Sequence, residues 1–347
     1  MRRLIIGDIH GCFEELCELV AAAGLTEDDE VISVGDMVDR GPGDAAVLDF
    51  FRTRPNARAV MGNHELKHIR WRRGELRPAL SQRISRRLLG EAGWQSAVDW
   101  METLPNFIEL PEALIVHGFF EPGVPLGEQH HRVLCGTMGG QRRLSAYGDL
   151  WFEHYDGDKP LIVGHLLYDE DRPVVRPGRF YGLDTGCCHG MRLTGLLLPE
   201  FKIISVPARS NHWAATRETH ADLRFVGLNP AALSWEKAES VLAAMRRRTD
   251  DADAADKADA IDAVLSAARQ AQQALLVRIE VDHAAAVAAV TVDPADDRAY
   301  ARAYAMVIGT SPLAGLLHAR RREQLTMAYL EKKFDRPSAM LKFMKEL

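Results

Sequence analysis

The chain has 347 residues, a formal net charge of −6, 47% hydrophobic and 27% charged residues, the proportions of a globular protein of about two domains. They exclude bulk disorder, a collagen-like repeat and a broadly basic nucleic-acid coat. The five cysteines (Cys12, Cys17, Cys135, Cys187, Cys188) are too few for a disulfide framework and lack CxxC spacing. After Met1-Arg2-Arg3 the apolar run is only Leu4-Ile5-Ile6, too short for a signal peptide, and no later uncharged run would span a bilayer. A soluble, cytoplasmic protein without membrane contact is therefore expected.

In chain order, short apolar runs bounded by Gly, Pro, Asp or Asn predict strands at 4–6, 31–34, 57–61, 113–116, 161–163, 180–183 and 193–198. Between the first two, Phe13, Leu16, Leu19 and Val20 give 13–22 a helical period. This alternation predicts an α/β layout with helices covering sheet faces. Past 207–213 alanine becomes frequent and glycine rare, and helical patterning takes over, as at 235–248 and 298–308, with Ser311-Pro312 as a further helix start. The stretch 250–262 holds six Asp and one Lys but lacks the Gly and closing Glu of a calcium loop, so it reads as a solvated face. The expected division is 1–208 as an α/β domain and 209–347 as an α-helical appendage, whose role the sequence leaves open; oligomerisation through it is one use.

Five motifs each follow a predicted strand: Gly7-Asp8-Ile9-His10-Gly11, Gly35-Asp36-Met37-Val38-Asp39-Arg40-Gly41, Gly62-Asn63-His64-Glu65, His117-Gly118 and Gly164-His165. Side chains at strand C-termini converge on one crevice in open α/β sheets. Asp, Asn and His together make an oxygen and nitrogen donor set for ions such as Mn, Fe or Zn, without the thiolates of a structural zinc clip. A single Asp-X-His would read as a capped turn; five such contexts in order point to a metal centre.

These motifs, GDIHG, GDMVDRGP, GNHE, HG and GH, resemble the calcineurin-like metallophosphoesterases, in particular the phosphoprotein-phosphatase branch. The later Leu183-Asp184-Thr185-Gly186-Cys187-Cys188-His189-Gly190, followed by Leu193-Thr194-Gly195-Leu196, is similar to bacterial diadenosine tetraphosphatases and to the phosphatase module of bacterial polynucleotide kinase-phosphatases. Arg132-Val133-Leu134-Cys135-Gly136-Thr137, with Trp151 and Tyr155 beyond, leans towards the latter. The resemblance covers about 1–208 and implies an αββα sandwich of two mixed sheets. It implies two divalent metal ions, manganese foremost with iron, zinc, nickel or cobalt as others. Asp8 and His10 would hold the first, Asp36 would bridge, and Asn63, His117 and His165 would complete the second. A metal-bridging hydroxide would attack phosphorus, Arg40 would hold phosphate oxygens, and His64, oriented by Asp39, would protonate the leaving oxygen. Asp184 is either a partner behind the metals or the cap of its own turn. A second phosphate-binding arginine is expected among Arg132, Arg142 and Arg143. The chain departs from the eukaryotic phosphatases in carrying His117-Gly118-Phe119 for HGG and in lacking SAPNYC.

The implied activity is phosphomonoester hydrolysis of the Ser/Thr phosphoprotein-phosphatase kind. The alternative is a nucleotide-directed phosphoesterase, acting on dinucleoside polyphosphates or on polynucleotide ends. Residues 67–87 hold eight Lys or Arg against one Glu, either a rim for a polyanion or a solvated helix face. Only Trp71 interleaves it, which gives little support for nucleic-acid stacking. No GxxxxGK[ST] occurs, so no kinase module accompanies the motifs. Two remoter readings are a non-catalytic docking protein and a metalloprotease. His64-Glu65-Leu66-Lys67-His68 matches HExxH, with Glu91 as a third ligand, yet that motif belongs inside a helix and here follows a strand end. On the phosphoesterase reading His68 is a bystander.

Overall fold

The computed structural model describes residues 1–221, 223, 229–247 and 252–347, with side chains from 257 onward in the last stretch. The chain divides into two compact units, Met1–Arg224 and Phe225–Leu347.

The first unit contains two five-stranded mixed sheets. One has β1 (Arg3–Ile6), β2 (Glu30–Ser33) and β3 (Ala57–Ala59) in parallel, extended antiparallel from β1 by β9 (Arg192–Leu198) and β10 (Lys202–Pro207). The other has β5 (Leu114–Val116), β6 (Leu161–Val163) and β8 (Phe180–Gly182) in parallel between antiparallel edges β4 (Phe107–Glu109) and β7 (Val174–Arg176). Strand side chains alternate between faces, and both faces of these strands are apolar. Ile5, Ile32, Ile115, Ile162 and Tyr181 point into one shared layer between the sheets. Leu4, Ile6 and Val31 pack outward with Leu16 and Leu19 of helix α1 (Phe13–Ala23) and Val47 and Phe51 of helix α2 (Asp44–Thr53). On the opposite outer face Leu114, Val116, Leu161, Val163 and Phe180 meet Trp151 and Phe152. The result is the αββα sandwich.

All seven expected strands form. The three the sequence reading did not predict, β4, β7 and β10, are antiparallel edge strands. The compact units divide after residue 224 where the sequence had placed the change at 208. The reason is local: the Arg209 amide and His212 Nε2 reach Glu15 Oε1 of α1 at 2.9 and 2.7 Å, tying the next helix (His212–Thr219) to the first unit.

In the second unit the long helix Ala252–Ala289 is packed by Trp235–Arg246, Asp297–Ile308, Ala314–Arg321 and Pro337–Glu346. Val241, Ile261, Leu275, Tyr304, Leu330 and Met340 fill its core. Of the acidic stretch 250–262, residues 250–256 lie outside the described side chains, and Asp262 pairs with Arg246. No helix among the described residues is long and apolar enough to cross a membrane.

Candidate active site

Each parallel strand of the first unit delivers side chains from its C-terminal end: Asp8 and His10 after β1, Asp36, Asp39 and Arg40 after β2, Asn63 and His64 after β3, His117 after β5, His165 after β6 and Asp184 after β8. His10, Asp36, Asp39, Arg40 and His165 have φ between +47° and +74°, a strained region for residues with a Cβ and one that clusters at functional sites. The motif glycines allow close approach. A Cβ on Gly62 would overlap the Asp36 carboxylate, and one on Gly164 would overlap Asp8 Oδ1.

Asp36 stands at the middle. Donor atoms of His10, Asp36 and His64 lie within 4.8 Å of one another, and so do those of Asp36, His117 and His165. His117 Nδ1–H donates to the Val34 carbonyl at 3.0 Å, so in the neutral imidazole the lone pair is on Nε2, 3.0 Å from Asn63 Oδ1 and 3.4 Å from Asp36 Oδ1. His10 Nδ1–H donates to Val38 O at 2.8 Å, leaving Nε2 at 3.7 Å from Asp36 Oδ2 and 3.9 Å from Asp8 Oδ2. His165 Nδ1 is 3.1 Å from the same Asn63 oxygen. Acceptors converging on acceptors is an arrangement a divalent cation satisfies, and the donors are the oxygen and nitrogen types such ions take. Turned over, the Asn63 amide donates to these atoms and to Asp36 and accepts from Lys67 Nζ at 2.9 Å, which satisfies every partner without an ion; a bound cation would require the oxygen to face the crevice. Burial, with Asp184 close by, pushes the Asp8 carboxyl well above its usual range. His117, despite burial, is raised to about 9 by Asp36. The crevice calls for positive charge.

Beside it lies a hydrogen-bonded carboxylate. Asp39 Oδ2 accepts from His64 Nδ1–H at 2.5 Å and from Gln82, and Oδ1 accepts from His68 Nε2–H at 2.9 Å and Ser85 Oγ at 2.7 Å. Although burial opposes it, these histidines hold the Asp39 carboxyl well below its usual range. His64 Nε2 is left facing Arg40 Nη2 at 3.3 Å. His68 is no bystander: it is fully buried, and Trp94 Nε1–H donates to its Nδ1 at 3.0 Å, which fixes the tautomer that serves Asp39. The HExxH context also needs correction. Helix α3 (Asn63–Arg72) starts at Asn63, so both histidines do sit in a helix. What they share is Asp39. Glu65 accepts the backbone N–H groups of Asp36, Met37 and Gly62 at 2.9 to 3.1 Å, and Glu91 pairs at the surface with Arg86.

The three arginine candidates separate. Arg132 lines a cavity of about 430 Å³ together with Asn63, His165, Lys67 and Arg70. Arg143 pairs with Glu121 at 2.8 Å, and Arg142 lines a different cavity beside Phe119 and Trp151. Arg40 lies over the centre, its Nη1 2.9 Å from His10 Nε2. Of the basic run only Lys67 and Arg70 line this cavity; Arg72 and Arg73 pair with Glu102, and Arg86 stacks on Trp71 and Trp94. Asp184 accepts the Gly186 N–H at 3.0 Å, capping its turn, while its charge also bears on Asp8. Sequence reasoning missed the roles of Glu65, Ser85 and Trp94, and that of Asp44, whose Oδ1 accepts the Asp39 backbone N–H at 3.1 Å. Glu65 had a signal, a carboxylate at the third helical position that caps the helix start. The other three carried none.

The calcineurin-like phosphoesterase family model matches residues 1–193. The bis(5'-nucleosyl)-tetraphosphatase PrpE (asymmetrical) of Bacillus velezensis is 28% identical over 250 residues, covering 62% of this chain and 97% of that protein. The protein of the same name from Halalkalibacterium halodurans is 30% identical, covering 59% and 93%. The symmetrical bis(5'-nucleosyl)-tetraphosphatase of Shewanella baltica is 36% identical over 127 residues, 36% of this chain and 45% of that one.

Proposed function

From the premise that the chain belongs to the calcineurin-like phosphoesterase family, we propose that its strand-end crevice is a two-cation centre hydrolysing phosphate bonds of nucleotide polyphosphates of the dinucleoside kind. Asp8, His10 and Asp36 would hold one ion, and Asp36, Asn63, His117 and His165 the other, with manganese as the first ion to try. Such ions, when bound, supply Lewis-acid charge at phosphoryl oxygens and acidify a water. The chain's own groups do the rest. Arg40 offers a planar fork to the phosphate. His64, its Nδ1–H held by Asp39, presents Nε2 to the departing oxygen and delivers a proton there. His68 and Ser85 keep the Asp39 carboxylate aimed at His64, so its charge supports the imidazolium.

The observation that carries the nucleotide reading is the cavity beside Asn63 and His165. Lys67, Arg70 and Arg132 line it with positive charge for further phosphates, while Leu66, Leu76 and Met138 offer apolar surface to a base. The names of the relatives support the same choice. The test is Mn²⁺-dependent hydrolysis measured in parallel on four substrates: mononucleotide products (two ADP, or ATP and AMP) are followed for diadenosine tetraphosphate, whose cleavage frees no phosphate, and inorganic phosphate is followed for a small aryl phosphate, a phosphopeptide and a 3′-phosphorylated oligonucleotide. Turnover should vanish on chelation, with kcat/KM highest on the dinucleotide. Preference for the phosphopeptide would return the protein to the phosphoprotein branch. Absence of metal-dependent turnover on all four would sink the reading.

A further inference from the structure

The first unit carries a second buried group of metal-ligating side chains that the hydrolytic reaction does not use. Cys12 precedes helix α1, Glu15 sits in its first turn, and Cys187 opens the short turn Cys187–His189 before β9. Their ligand atoms lie within 4.8 Å of one another, and all three residues are buried. Glu15 supplies an independent sign. Its Oε1 accepts from the Arg209 amide and His212, but its Oε2, equally buried, has no hydrogen-bond partner among the described residues. An orphaned buried carboxylate oxygen is an arrangement folds avoid. The Cys12 thiol has only a long contact, 3.6 Å, to the His10 carbonyl besides its neighbour Cys187.

We propose that Cys12, Glu15 and Cys187 form a third cation site, sulfur-ligated and distinct from the phosphoesterase centre, for zinc or a comparable soft divalent ion. Two thiolates and a carboxylate are zinc donors, and tetrahedral coordination at about 2.3 Å to sulfur would draw the three groups together with little backbone movement. The fourth position falls to water. His212 and the Arg209 amide hold the far oxygen of Glu15, as the outer partners of a ligating carboxylate do. The ion would join the loop that carries Asp8 and His10 to the turn that carries Cys188, whose Sγ is 3.8 Å from Arg40 Nη1. It would thereby steady the phosphate-holding arginine without touching substrate.

Cobalt is the probe. None of Asp8, His10, Asp36, Asn63, His117 and His165 offers sulfur, so thiolate-to-cobalt charge-transfer absorption reports a cysteine-ligated ion, and the variants below assign it to Cys12 and Cys187. The full chain, metal-free and kept reduced by a phosphine, is titrated with Co²⁺. The charge-transfer band should rise to saturation, vanish in Cys12→Ser and in Cys187→Ser, and persist unchanged in Cys17→Ser. A visible cobalt spectrum without that band, or a band that survives Cys187→Ser, would overturn the site. If the serine variants do not fold, Glu15→Gln decides: cobalt affinity read from the same band should fall at least about tenfold, and an unchanged affinity would refute the assignment.

Discussion

Asp39 has no exposed surface, and among the described residues five side-chain donors share its two oxygens: His64, Gln82 and Ser81 on one, His68 and Ser85 on the other. Removing its charge while keeping its shape separates its work from that of the metal ligands. Asp39→Asn should lower kcat about a hundredfold, the usual scale of a proton-transfer contribution, with metal content unchanged by elemental analysis. His68 acts only through Asp39, so His68→Ala should lower kcat about tenfold at constant KM; a change confined to KM would show that it serves packing alone. The convergence of Asp8 and His10, Asp36, Asn63, His117 and His165 was legible because each of the five motifs follows its own strand, and the strand order brings them together. The grip on Asp39 was not. Ser85 and Trp94 arrive on the helix Leu80–Met101, tens of residues from Asp39 along the chain, and reach it or His68 only through tertiary packing.

At the level of elements, the strands that sequence patterning missed are all antiparallel edges, whereas of those it identified only β3 lies at an edge. Central parallel strands are buried on both faces and read as continuous apolar runs. The missed edges carry polar or charged residues, such as Glu109, Arg176, Lys202 and Ser205, which is how sheets protect their margins. The long helix of the second unit breaks the expected pattern in the opposite direction. Gln272 is fully buried on it, and neither amide atom has a partner among the described residues. Gln272→Leu should raise the unfolding free energy of that unit by about 1–3 kcal/mol, the cost of unsatisfied buried polar groups. Urea unfolding of the two proteins would check it; no gain would mean that the amide is satisfied in solution.

For the molecule as a whole, the place where the first unit ends has a measurable consequence. A chain cut after 208 loses the Arg209 amide and His212, leaving the buried Glu15 carboxylate unpaired, whereas one cut after 224 keeps both. The longer truncation should retain metal-dependent hydrolysis of an aryl phosphate, and the shorter should be less stable by about 1–3 kcal/mol at neutral pH. The sign with pH follows. Burial raises the Glu15 carboxyl, but its two partners hold it below the usual range. Their contribution is therefore present above the unfolded value of about 4.3 and is lost as pH falls through the folded one. Thermal melts of the two truncations should converge in acid; a gap that widened there would contradict this account.

The crevice draws on both sheets: Asp36 and Asn63 come from one, His117 and His165 from the other. Neither sheet holds the whole ligand set proposed for the second ion, so on that proposal competence is created only when the two dock. Recovered hydrolysis during refolding is then a clock for closure of the central layer. A lesion that loosens docking would also leave a protein with native circular dichroism and no turnover, inert while every strand is still intact.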